Sequence, residues 1–147
     1  MMKAFFAIGL AVLFAGCAGT RPVRLGVTDG KFIPCPDSPN CVSSQSTDQS
    51  HAIEPVYYKG TMSEARAQLL AIIKNMKRGN IVTEQEHYIH AEFTSAVFRF
   101  VDDAEFYIDD TQKVIHIRSV ARLGYYDFGV NRQRMETIRQ LFNSASP

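Results

Sequence analysis

The chain has 147 residues, with 16 basic and 15 acidic side chains and a formal net charge of +1. A balance so near neutral gives no electrostatic footprint for nucleic acid, or for holding an anionic membrane by charge alone. Trp is absent, but ten Phe and six Tyr supply aromatic bulk for one compact core.

The first stretch reads as an address. Lys3 precedes an apolar run from Ala4 to Ala15, and Leu13-Phe14-Ala15-Gly16-Cys17 resembles the end of a bacterial lipoprotein signal. About a dozen apolar residues cannot cross a bilayer core of roughly 30 Å as a helix, whereas they suit a signal-peptide h-region. Residues 1–16 are therefore expected to be a signal peptide and residues 17–24 a tether lipidated on the Cys17 thiol. Phe14 stands where such a box usually carries Leu, so an ordinary secreted chain that loses Cys17 is the competing reading. Ala18, where Asp would retain the protein, points to a lipid-anchored place in the outer membrane facing the periplasm. A tether of this length reaches only about 20 Å, which keeps the domain near its membrane. No second apolar run is long enough to span one.

Residues 25–147 are expected to form a single domain, large enough for a real core. From Leu25 to Ser50 the chain is rich in Gly, Pro, Asp, Ser and Asn and reads as an irregular ordered arm. In an oxidising periplasm Cys35 and Cys41, with five residues between them, are expected to form a disulfide; free thiols and a metal site are the alternatives. Zinc is the weakest of these, because no second Cys or Cys/His pair sits near.

A strand is expected over Ile53–Tyr58, ending at Gly60. Thr61-Met62-Ser63-Glu64 is a capping box that opens a helix. Met62, Ala65, Leu69, Ile72, Ile73 and Met76 recur on one face of it, and Lys74, Lys77, Arg78 and Gly79 suit its end. The period then changes to two, with strands expected over Ile81–Glu86, Tyr88–Val101, Ala104–Ile108 and Lys113–Val120. In the second of these, Ile89, Ala91 and Phe93 point one way and His90, Glu92 and Thr94 the other. Asp109 to Gln112 is a hairpin turn, and Leu123 to Gly129 a loop. A last helix is expected over Arg132–Asn143, N-capped by Asn131, with Met135, Ile138, Leu141 and Phe142 as its buried stripe. The sum is an α+β fold: an antiparallel sheet of four to five strands, two helices on one face, and a disulfide-stapled arm in front.

Two stretches carry a resemblance. One runs from Leu25-Gly26-Val27 into Cys35-Pro36-Asp37-Ser38-Pro39-Asn40-Cys41-Val42-Ser43-Ser44-Gln45. The other holds His90-Ala91-Glu92-Phe93-Thr94-Ser95, Phe100-Val101-Asp102-Asp103-Ala104-Glu105-Phe106, Ile117-Arg118-Ser119-Val120-Ala121-Arg122-Leu123-Gly124-Tyr125 and Asp127-Phe128-Gly129-Val130-Asn131-Arg132-Gln133-Arg134-Met135-Glu136. Over about Leu25 to Leu141 the chain resembles the domain-of-unknown-function family numbered 1499. Val120-Ala121 departs from the small residues usual there in that family. The resemblance implies exported lipoproteins among the relatives and no assigned reaction.

The richest chemistry lies between Arg118 and Arg134. Arg118 and Arg122 bracket a strand end, while Arg132 and Arg134 occupy the first turn of a helix, where cations oppose the dipole. They pair with Asp102, Asp103 and Glu105 to pin the helix to the sheet, or hold an anionic ligand in a cleft with Tyr125 and Asn131, or stay exposed beside an Asn131 that is a plain cap. Asp102, Asp103, Glu105 and His90 are the candidate acid/base groups, although Asp102 and Asp103 face opposite ways if the strand runs through them and otherwise make a turn. His87 and His90 are expected on opposite sides, and His90, His116 and Glu92 form a weak metal constellation, so neither metal nor cofactor is expected. No nucleophile elbow occurs around Ser43, Ser44 or Ser95. The leading expectation is a non-catalytic binding or interaction module for a small anionic or amphipathic ligand or an envelope protein. The rival is an envelope hydrolase or transferase using an Asp/Glu/His site.

Overall fold

A computed structural model describes residues 19–22 and 24–145. Cys17, and with it the signal and lipidation reading, lies outside the described residues. Within them the chain forms β1 (Val27–Thr28), β2 (Lys31–Phe32), β3 (Cys41–Ser43), β4 (Val56–Tyr57), α1 (Met62–Asn75), β5 (Gly79–Glu84), β6 (Tyr88–Thr94), β7 (Val101–Asp109), β8 (Val114–Ala121) and α2 (Val130–Ala145). β3, β8, β7, β6 and β5 follow one another in an antiparallel sheet, and β4 joins the free half of β8, making six strands. No helix among the described residues is long and apolar enough to cross a membrane.

The α+β class and the Cys35–Cys41 disulfide are as expected. The strand count is larger, because the arm holds three short strands. β1 and β2 form their own hairpin, joined by Asp29 and Gly30. Both turn residues have positive φ, 50° and 73°, which an Asp-Gly pair tolerates and most side chains do not. Gln45 fixes this hairpin from the side, accepting from the Phe32 amide at 2.8 Å and donating to the Gly30 carbonyl at 2.7 Å.

The core follows from the alternation. Ile89, Ala91 and Phe93 on β6, Ala104, Phe106 and Ile108 on β7, and Ile115 and Ile117 on β8 share one sheet face with Leu69 and Ile73 of α1 and Met135, Ile138 and Phe142 of α2. Burying each of the large side chains contributes about 1.5–3 kcal/mol. Leu141 departs from the expected stripe and is 44% exposed. Thr61 caps α1 as expected, accepting from the Glu64 amide while the Glu64 carboxylate accepts from the Thr61 amide.

Three expectations about turns are corrected. The left-handed residue after α1 is Arg78, at φ 61°, rather than Gly79. Gly79 is needed for a different reason: a Cβ there would stand 2.8 Å from the Phe93 ring and 3.3 Å from the Ile73 carbonyl. Residues 88–101 are two strands, not one, joined by a loop over 95–100. Asp102-Asp103 lies inside β7 and makes no turn.

Candidate functional site

The sheet face turned away from the helices is polar, and much of it is nevertheless buried. Tyr88, His90 and Glu92 of β6 lie on it, with Asp103, Glu105 and Tyr107 of β7 and His116 and Arg118 of β8; Arg122 follows directly after β8. Register places His90 opposite Glu105, Glu92 opposite Asp103, and Glu105 opposite Arg118. Asp103, Glu105, Arg118 and His90 are all at most 5% exposed. Ionisable groups tolerate such burial only when they are paired and hydrogen-bonded, and here they are.

One ion pair and a separate ion-pair cluster hold the face together. Arg118 Nη1 donates to Glu105 Oε2 at 2.7 Å, and Glu105 Oε1 also accepts from the Tyr88 hydroxyl at 2.8 Å and the Gly26 amide at 2.7 Å. Arg122 donates through Nε to Asp103 Oδ2 at 2.8 Å and through Nη2 to both Asp103 Oδ1, at 2.7 Å, and Glu92 Oε1. Arg21 completes the set from the arm, donating to the same Glu92 oxygen through Nε at 2.8 Å and Nη2 at 2.6 Å. Three carboxylates thus meet three guanidinium groups.

Protonation follows from this pairing. Burial works against the charge of Asp103, but the hydrogen bonds from Arg122 and His90 outweigh it and hold the carboxyl below its ordinary value. Glu92 is the same case, with Arg122 and Arg21 overcoming burial. Arg122 is held above its ordinary value by its bond to Asp103. Burial, together with the neighbouring Glu105, raises Tyr88, so its hydroxyl stays a donor. His116 is shifted down by burial and by the Lys31 charge.

His90 occupies the most distinctive position. Its Nε2 meets Asp103 Oδ1 at 2.8 Å. An ionised carboxylate can only accept, so that nitrogen carries a proton, and Nδ1 is the ring's second polar atom. Nδ1 has no partner among the described residues, and the ring lines a cavity of about 780 Å³ that residues 21–22 and 24–28 of the arm also line. Arg24, Leu25, Val82, His87 and Tyr107 share that wall. His87 and His90 therefore border one space, contrary to expectation, because His87 precedes the strand instead of alternating within it. Arg24 has no ion-pair partner among the described residues. On the other side of the arm, Pro22, Arg24, Leu25 and Ile33 line a second groove of about 310 Å³ with Arg118. The Arg118 Nε–H is the one buried side-chain polar atom without a hydrogen-bond partner among the described residues.

The cleft expected around Arg118, Arg122, Tyr125, Asn131, Arg132 and Arg134 does not form, because the sheet divides these residues. Arg118 and Arg122 lie on the polar face. Arg134 lies on the helix side, donating to Asp102 Oδ2 at 2.6 Å with its guanidinium 4.7 Å from the Phe93 ring. Arg132 binds the carbonyls of Ala52 and Ser50 at 2.7 and 2.9 Å. Tyr125 is exposed. Asn131 is not a cap; it is buried inside the first turn of α2 and bridges the Asn40 carbonyl, Ser119 Oγ, Arg134 and Asp127. Asp127 takes the capping role, accepting from the Gly129 and Asn131 amides. Of the acid/base candidates, Asp102 is thus separated from Asp103, Glu105 and His90.

His90, Glu92 and Asp103 offer ligand atoms within 4.8 Å of one another. They do not suit a metal ion, because the Arg122 guanidinium already bridges Glu92 and Asp103 where a cation would sit.

A family model described as "Protein of unknown function (DUF1499)" matches residues 31–142. The chain belongs to this family. No curated protein matches it. The DUF1499 match takes in every strand and helix from β2 onward, up to residue 142 of α2, and with them the whole polar face. It begins after the part of the arm that carries Arg21, Arg24 and Gly26.

Proposed function

We propose that this DUF1499 protein is an exported lipoprotein, anchored through Cys17 to the outer membrane of a bacterial envelope and facing the periplasm, whose domain is a non-catalytic binding module for a small anionic or amphipathic ligand. The observation that carries the reading is the 780 Å³ cavity beneath the arm. Its wall combines a guanidinium without an ion-pair partner on Arg24, the His90 ring and apolar surface from Leu25, Val27 and Val82. The wall thus mixes polar and charged groups with apolar patches, which suits a small ligand that carries both kinds of surface. The three carboxylates beneath it are already neutralised, which leaves Arg24 to meet a ligand's negative charge.

Native mass spectrometry of the protein purified without denaturation tests this. A retained small molecule is expected in the wild type and lost in Arg24→Ala, whose exposed side chain leaves the fold intact. An empty wild type, or equal retention in the variant, would overturn the reading. The same spectrum gives the N-terminus, expected at a diacylglyceryl-modified Cys17.

One observation favours a second reading. The Asp103-oriented His90, a residue of the cavity wall, has the arrangement of a general base, which fits an envelope hydrolase or transferase. Glu105 is tied to Arg118, so His90 and Asp103 alone would carry it. A panel of ester, glycoside and phosphoester substrates compared between wild type and His90→Gln decides the matter: turnover that is equal or absent in both sinks the enzyme.

A further inference from the structure

Two loops at one end of the sheet display apolar side chains that the core does not use. The 95–100 loop between β6 and β7 exposes Val97 (79%), Phe98 (70%) and Phe100. The loop from β8 into α2 exposes Tyr125, Tyr126 and Phe128 (85%). The loops are neighbours, since Asp102 of β7 pairs with Ala121 of β8 and the Arg122 amide donates to the Val101 carbonyl at 3.1 Å. Each carries a preformed aromatic pair, Phe98 stacked on Phe100 at 5.6 Å and Tyr126 edge-on to Phe128 at 5.1 Å. Single exposed apolar residues need no explanation, but a cluster of this size marks a contact surface.

The N-terminal chain arrives at the same end. Gly19 packs so closely on Arg122 and Leu123 that a Cβ there would lie 3.0 Å from atoms of both. Cys17 is two residues earlier, at most about 7 Å of extended chain. Basic groups flank the first loop: Arg99 stands on it, while Lys77 and Arg78 follow α1, with Arg78 Nε donating to the Thr94 carbonyl at 3.0 Å.

We infer that this end of the domain is a bilayer-contact face, on which Phe98, Phe128 and their neighbours enter the interfacial layer of the membrane that holds the anchor. The inference rests on the Cys17 anchor proposed above, which supplies the bilayer and selects the end that meets it. Tyr and Phe suit the headgroup–acyl boundary, and Arg99, Lys77 and Arg78 can reach anionic headgroups beside them. A tether of two residues makes the contact effectively intramolecular, so loops with weak affinity of their own remain seated. The near-neutral balance of the whole chain is no obstacle, because the contact is carried by apolar rings with local basic support.

The absence of Trp makes the test direct. Phe98→Trp and Phe128→Trp place reporters on the two loops. Tyr57→Trp places one at the opposite end, where exposed Tyr57 pairs with Val114 at the start of β8. The processed proteins are reconstituted into phosphatidylethanolamine–phosphatidylglycerol vesicles carrying brominated acyl chains. Emission from both loop variants is expected to shift to the blue and fall about twofold, with the Tyr57→Trp signal unchanged. Loop reporters that stay unquenched, or quenching equal in all three, would overturn the inference, as would a blue shift that appears without vesicles and marks self-association. The mass of the mature N-terminus separates this from the anchor. A lipidated chain with unquenched loops loses the surface and keeps the anchor, while an unlipidated chain quenched on added vesicles keeps the surface and loses the anchor.

Discussion

Replacing Arg122 with methionine is expected to remove about 3–5 kcal/mol of folding stability at neutral pH, because it leaves buried carboxylates without their shared cation. Asp103 is fully buried and would keep only His90, and Glu92 would keep only Arg21. Against a typical total of about 5–15 kcal/mol, this brings the domain near its limit at growth temperature. Urea unfolding of wild type and variant measures the loss, and its pH dependence identifies the cause. In the wild type both carboxyls are held below their ordinary values, so their contribution is present above the unfolded pKa, about 4, and is lost as pH falls through the lowered folded value. Without Arg122, only His90 opposes burial at Asp103, and the folded pKa moves up. The variant's deficit is then largest at neutral pH and narrows on acidification. A deficit that is flat with pH would mean that Arg122 contributes through packing instead of charge.

The parts of the fold legible in the sequence are those with a long period. Fourteen residues of α1 begin at a complete capping box, and Tyr88 to Thr94 alternates without a break. β1, β2 and β3 have two or three residues each, too few for alternation to register. They exist because a partner is supplied: β3 by β8 across the sheet, and β1 by β2 through the turn. The Asp29-Gly30 pair was a readable hairpin signal within an arm that otherwise looks irregular. The length of Tyr88–Val101 misleads for the opposite reason, since Val97, Phe98 and Phe100 continue a strand-like composition through a loop.

For the site, residue types were legible and their sorting was not. Carboxylates at 102, 103 and 105 do meet arginines at 118, 122 and 134, but only Arg134–Asp102 pins the last helix to the sheet, and Arg132 binds carbonyls instead. Which pairs with which depends on strand parity, and parity places Asp102 with Arg134 under α2 while Asp103 and Arg122 face the arm. His90 and Glu92 were visible on a common face. What closes over them was not, because the Gly26–Glu105 and Arg21–Glu92 contacts join residues 79 and 71 positions apart. Nothing local in the arm marks those partners; only the folded sheet brings them together.

The neighbouring carboxylate is expected to behave with the opposite native-state sign. Asp102 is buried against Arg134 on the helix side, and there burial outweighs the guanidinium, so its pKa is raised, with the Asp127 and Asp103 charges adding to the effect. A folded pKa above the unfolded one means that the ionised form weakens the fold as pH rises through that value. Arg134→Met removes the cation paired with this carboxylate and should cost about 3 kcal/mol at neutral pH. Acidification should restore most of it as Asp102 takes up its proton. Asp102→Asn alone should be mild, within about 1 kcal/mol, because it removes a charge that the site already disfavours and keeps a hydrogen-bonding group for Arg134. Combining the two substitutions should therefore cost less than Arg134→Met by itself. Thermal unfolding of the four proteins between acidic and neutral pH measures this coupling. A double variant as unstable as the sum of its parts would show that Asp102 and Arg134 act independently, each through its own packing on α2 and Phe93.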